Sequence, residues 1–294
     1  MSGSTGWKRG ASYTRTMTRG RLAGVFAAVV VAATLGVVLA GRGAGSPVAA
    51  AATKTSETSA HLAFTLTVDG PKLAHAIQVS GSGGLDGPSA DVTIQDSGAP
   101  AGSPTSIHAI ALQQGGDELA FVRVTPAPSF FAGKDWVEVD LSKLASAHGL
   151  DLGSLGASGS AETPAQVLDL LRSAGATVTD LGPDTIDGAA TTHYRVLVDA
   201  AEIAKVAGLP SSIAGNLGRH GTKTVPVGVW IGSADGLVRQ VAVDLHHGAG
   251  HASFTATLSD YGTSVSVSAP PSSDVFDVTG FLSGASGSRM QPFS

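Results

Sequence analysis

The chain has 294 residues, no cysteine and a formal net charge of −5. Without cysteine no disulfide supports the fold, so burial of apolar surface must hold it together. Lys8, Arg9, Arg15, Arg19 and Arg21 stand before residue 22 without an acid among them, whereas beyond Arg42 there are 12 Lys and Arg against 23 Asp and Glu. That acidic balance excludes nucleic acid as a partner and disfavours electrostatic adhesion to an anionic membrane surface.

Residues 1–21 read as a basic cytoplasmic arm. Leu22–Ala40 follows with 19 uncharged residues, long for a signal-peptide core and just enough to span a bilayer. The one-sided basic flank keeps the arm inside and sends the remainder out of the cytoplasm. Pro47-Val48-Ala49-Ala50-Ala51-Ala52 offers small-residue cleavage sites, so 22–40 is either a signal anchor or a cleaved signal peptide. Residues 41–58, mostly Ala, Ser, Thr and Gly, predict a flexible tether.

The globular domain is expected over 59–278. Leu62, Phe64, Leu66 and Val68 alternate with Ala63, Thr65 and Thr67, the period of a half-buried strand. Asp69-Gly70-Pro71 is a turn. A second strand is predicted over Leu73–Ser80, broken by Gly81-Ser82-Gly83-Gly84. Further strands are expected at Ala90–Gln95, Ser106–Gln113, Glu118–Val124 and Trp136–Asp140. The period then changes. Thr163 as N-cap, Pro164 at the first helical position and Gln166 closing a capping box open a helix. Val167, Leu168, Leu170 and Leu171 give it an apolar stripe, and Gly175 ends it. Strand signals resume at Ala176–Leu181, and a short helix is expected over Ala200–Ala207.

The last third predicts a meander. Tyr194, Val196 and Val198 alternate, as do Val225, Val227, Val229 and Ile231. Ser233-Ala234-Asp235-Gly236 is a hairpin loop. Val241, Val243 and Leu245 return, Ala252, Phe254, Ala256 and Leu258 continue, and Val265 with Val267 makes a final short strand before Pro270-Pro271. Residues 279–294 read as a flexible tail. About ten to eleven strands with segregated helices make an α+β fold built on a large antiparallel sheet.

Three stretches carry a resemblance. They are Ile186-Asp187-Gly188-Ala189-Ala190-Thr191-Thr192-His193-Tyr194-Arg195-Val196, then Val225–Ile231 followed by Gly236-Leu237-Val238-Arg239, and then Leu258-Ser259-Asp260-Tyr261-Gly262 leading to Ala269-Pro270-Pro271. In order and spacing they resemble the LppX/LprG-type envelope lipoproteins over roughly Ser59–Asp277. The resemblance implies a LolA-like fold: a strongly curved, incomplete antiparallel β-barrel with a few helices covering its concave face. It also implies a lipid or glycolipid held between sheet and helices, with no cofactor and no catalytic residues. One departure is plain. Leu39-Ala40-Gly41 leads to Arg42, where a lipidated member has cysteine, so membrane attachment falls to Leu22–Ala40.

An apolar sheet face that short helices only partly cover leaves a hollow suited to a ligand. The expected lining is Leu62, Phe64, Leu66, Val196, Val198, Val227, Val229, Val241, Val243, Phe254 and Leu258, completed by Val167, Leu168 and Leu171. The alternative is the same fold with a filled core, serving as an envelope interaction or sensory domain for a protein partner. Phe130-Phe131, after Pro126 and Pro128, reads either as a loop anchor or as an entrance lip touching the cell membrane.

Other chemistry finds little support. Gly156-Ala157-Ser158-Gly159 and Gly284-Ala285-Ser286-Gly287 miss the nucleophile-elbow pattern. Gly81-Ser82-Gly83-Gly84 lacks the lysine and helix of a phosphate loop. His246-His247-Gly248-Ala249-Gly250-His251 is the most metal-like run. Strand geometry places His246 and His247 on opposite faces, no carboxylate motif completes a site, and a solvated hairpin end is the expectation. His193 reads as a hydrogen-bonded structural residue. The chain is therefore expected to be no enzyme and to hold no metal.

Overall fold

A computed structural model describes residues 46–71, 76–98, 105–114, 117–126, 133–143, 177–199, 224–247 and 249–279. The segments 22–40 and 200–207, the helix expected from Thr163, and the Phe130-Phe131 pair lie outside the described residues. Among the described residues no helix is long and apolar enough to cross a membrane.

The described elements open with helix α1 (Pro47–Ser56). Strands follow at β1 (Ala60–Asp69), β2 (Ile77–Asp86), β3 (Ser89–Asp96), β4 (Ser106–Gln114), β5 (Asp117–Thr125) and β6 (Trp136–Asp140). The second series is β7 (Thr177–Ile186), β8 (Ala189–Asp199), β9 (Thr224–Gly232), β10 (Val238–His247) and β11 (Gly250–Ser259), and β12 (Val275–Asp277) comes last. All twelve form one sheet in the order β12-β6-β5-β4-β3-β2-β1-β11-β10-β9-β8-β7. Two antiparallel meanders are joined where β1 pairs with β11, and β12 adds in parallel to β6. The order ends in two free edges, so the sheet does not close.

The register shows why the faces differ. Residues directly opposite in adjacent strands share a face. One row runs Tyr194, Val229, Val241, Ala256, Phe64, Gly81, Ile94, Ile107 and Val124 across nine strands. Behind it a second row runs Thr255, Thr65, Ser80, Gln95 and Ser106. One side of the sheet is thus apolar, and the other is rich in Ser and Thr.

Glycine lets the sheet bend toward its apolar side. A Cβ on Gly81 would lie 2.4 Å from the Phe64 ring, and one on Gly83 only 2.0 Å from the Asp91 carbonyl oxygen. Neighbouring strands crowd together there, as on the concave side of a curved sheet. The glycine run therefore does not interrupt β2, contrary to expectation; the strand passes through it because positions 81 and 83, which face the concave side, carry no side chain.

Two further expectations are corrected. Residues 47–56 are a helix rather than part of a tether. Pro47 is preorganised for a first helical turn and alanine has the highest helix propensity. Tertiary contact completes the reason, since Val48, Ala49, Ala51 and Ala52 are buried. Val265 and Val267 are not in a strand either. After the turn at Asp260–Gly262 the chain crosses the outer face as an extended strap. There Val265 takes the space above Gly84, and Val267 packs with Val275 against Ile110, Phe121 and Trp136. The strap reaches β6 through a 3-10 turn at Ser272–Asp274, and the last strand is Val275–Asp277.

Candidate functional site: the apolar concave face

Ten of the expected lining residues fall on the apolar face. Leu62, Phe64 and Leu66 on β1 meet Leu258, Ala256 and Phe254 on β11. Val241 and Val243 on β10 continue the rows to Val229 and Val227 on β9. Val227 leads on to Val196 of β8, and Val198 pairs in register with Val225. Val167, Leu168 and Leu171 lie outside the described residues.

The face divides into two parts. Beneath α1, Val48 and Ala51 pack with Val196, Val225, Val227, Val229, Ile231, Val238, Val241 and Leu258. Val229 and Val238 are wholly inaccessible to solvent. Here the helix fills the space, and these valines are core. The second part centres on Phe64, Val79, Ile94, Phe254 and Ala256. Among the described residues, every member of this cluster belongs to the sheet, and its surrounding apolar side chains, Leu62, Leu66, Ile77, Val92, Ile107 and Val243, are only half-buried. Phe64 and Phe254 sit with ring centroids 6.1 Å apart. This part of the face is thus apolar and only half-buried.

The second and third family-like stretches meet α1 beside the β9–β10 loop. Asp235 of the β9–β10 loop pairs with Arg239, and Lys54 of α1 donates to the Asp235 carbonyl at 2.6 Å. The Val238 amide donates to the Thr55 hydroxyl at 3.0 Å. Tyr261 donates its hydroxyl to the Val238 carbonyl, with the Arg239 guanidinium 4.7 Å from its ring centroid. Burial pushes the Tyr261 hydroxyl up to about 12. These residues latch α1 to the sheet. The sequence signal therefore reports packing, not ligand contact.

On the outer face, His193 stacks on Trp230 at 4.0 Å, and the indole nitrogen donates to Asp184 at 2.8 Å. Burial holds the His193 imidazole below its ordinary value. Two open grooves also lie on this polar side. One, of about 450 Å³, is lined by residues including Thr65, Ser80, Thr93 and Thr257. The other, of about 560 Å³, lies beside the strap between Gly84, Asp91 and Val265. Neither is the apolar hollow expected from sequence.

The same face carries a cluster built on the metal-like His246–His251 run, with carboxylates that the run itself does not contain. His246 pairs across the β10–β11 hairpin with His251, and Asp69 of β1 sits on the other side of His251. Asp244, two residues before His246, shares their face. Its carboxylate lies 2.9 Å from His246 Nε2 and 3.2 Å from His251 Nε2. Asp244 stands on the strand of His246 itself, whereas Asp69 comes from strand pairing, which a linear motif does not reveal.

Comparison with known proteins places these features in context. No family model and no curated protein matches the chain. Its structural neighbours include LppX and LprF. The lipoprotein LppX of Mycobacterium tuberculosis is 18% identical, with a TM-score of 0.39, over 74% of this chain and 92% of that one. LprF from Mycobacterium bovis is 15% identical, with a TM-score of 0.36, over 75% and 93%. MucB, solved in complex with MucA, is 10% identical with a TM-score of 0.28, over 75% of this chain and 55% of that one.

Proposed function

We propose that the chain is an extracytoplasmic, non-enzymatic lipid or glycolipid carrier, tethered to the cell membrane by 22–40 or released from it. The observation supporting this reading is the concave apolar face of an unclosed sheet, whose Leu66, Ile77, Val92, Ile107 and Val243 stay half-buried around Phe64 and Phe254. The ligand site then lies on β1–β4, β11 and the Val243 end of β10, because α1 packs on the face over β9 and the Val238–Val241 end of β10.

Magnitudes favour exchange over tight capture. Removing an acyl chain of ~16 carbons from water releases roughly 13 kcal/mol at ~0.8 kcal/mol per methylene. Two such chains exceed the practical ceiling on affinity, about 18–21 kcal/mol. A lipid drawn from a bilayer is already out of water, however, so transfer between membrane and protein is nearly balanced and runs in both directions.

A second reading, a protein-binding envelope domain, is favoured by α1, which shows that part of the face is filled by the chain itself. Native mass spectrometry of protein purified from its own membrane separates the two. A co-purifying lipid is expected. Delipidated protein that extracts no labelled lipid from vesicles, together with a native spectrum of bare polypeptide, overturns the carrier reading.

A further inference from the structure

The hairpin end at β10–β11 gathers donors that have no part in the apolar face. Antiparallel pairing sets His246 directly opposite His251. Their rings stack with centroids 4.5 Å apart and planes 16° from parallel. Both therefore point the same way, off the outer face. Asp244 meets the Nε2 atoms of both rings, and one ligand atom from each of the three side chains lies within 4.8 Å of the others. The fourth residue, Asp69, has its carboxylate 3.5 Å from His251 Nδ1.

We propose that Asp244, His246 and His251 form a surface site for a divalent transition-metal ion of the zinc class. Two imidazole nitrogens and one carboxylate oxygen make a donor set that suits zinc, nickel or copper and is poor for magnesium, which prefers oxygen ligands throughout. Nε2 of each histidine is the ligand atom, since both already aim at the Asp244 carboxylate. Asp69 then has a distinct part. Its carboxylate stands beside His251 Nδ1 and favours the tautomer protonated there, which leaves Nε2 free to ligate, the usual partnership of carboxylate, histidine and metal. The open side of the site leaves room for water to complete a tetrahedral shell, as the side chains of His246 and Asp244 are 73% and 61% exposed. This site stands apart from the proposed lipid face.

Calorimetric titration of the full chain with zinc chloride tests the proposal, with magnesium chloride as the comparison ion. Saturable binding of one zinc per chain is expected, and none of magnesium. His246→Ala combined with His251→Ala should abolish it, while His61→Ala, which alters a histidine outside the cluster, should leave it intact. Asp69→Asn should weaken zinc by roughly tenfold or more, the usual effect of removing a ligand's hydrogen-bond partner. Circular dichroism checks that each variant is folded, which the exposure of the hairpin end favours. Absence of saturable zinc binding, or zinc affinity unchanged in the folded double variant, overturns the assignment.

Discussion

At Gly83 the fold depends on the absence of a single carbon. Because a Cβ there would meet the backbone of β3 rather than a movable side chain, Gly83→Ala is expected to cost about 1–3 kcal/mol, as for other overpacked sites. Urea unfolding of the two proteins measures it. Tyr261 offers a different readout. Its hydroxyl is held up to about 12 by burial, whereas an ordinary tyrosine ionises near ~10. A folded-state value above the unfolded one stabilises fully below pH ~10, and the contribution disappears as pH rises toward about 12. Tyr261 should therefore ionise late in a spectrophotometric titration, and Tyr261→Phe should remove that late step. The same variant should lose about 1 kcal/mol, the typical net worth of a hydrogen bond.

Elements differ in how plainly the sequence announced them. A strand with strict alternation, such as Val225–Ile231, is where the pattern puts it, because one face is buried and the other is not. The glycine run in β2 and the helix α1 were not legible. Glycine signals a break when curvature is unknown, and an Ala-rich run looks like a linker until the sheet that it docks on is seen. The strap misled for the opposite reason: Val265 and Val267 alternate, but they meet the outer face of the sheet rather than a neighbouring strand. A docked α1 makes a prediction that a tether does not. Val48 is 1% exposed, so Val48→Asp buries an unpaired charge and should destabilise by on the order of 3 kcal/mol. In a flexible linker the same change would leave the thermal midpoint where it was.

For the molecule as a whole, the apolar face was readable from sequence, but the division within it was not. Val196 and Leu66 look alike in the chain; only the structure shows that one lies under α1 and the other is half-buried. That division gives the carrier proposal a selective test. Leu66→Gln with Val243→Gln should lower labelled-lipid uptake from vesicles severalfold while the protein stays folded. Val227→Ala, under the helix, should lower stability by about 1–3 kcal/mol and leave uptake per folded molecule unchanged. Equal uptake by the double variant and the parent would count against a ligand on that face. The seam between β1 and β11 carries a last consequence. Phe64 pairs with Ala256 across about 190 residues of chain, a separation that makes pairing slow. During synthesis β1 has no partner on that side until β11 has been made. A polypeptide arranged in this order stays threadable while it is being made, and it seals only after its final third has arrived.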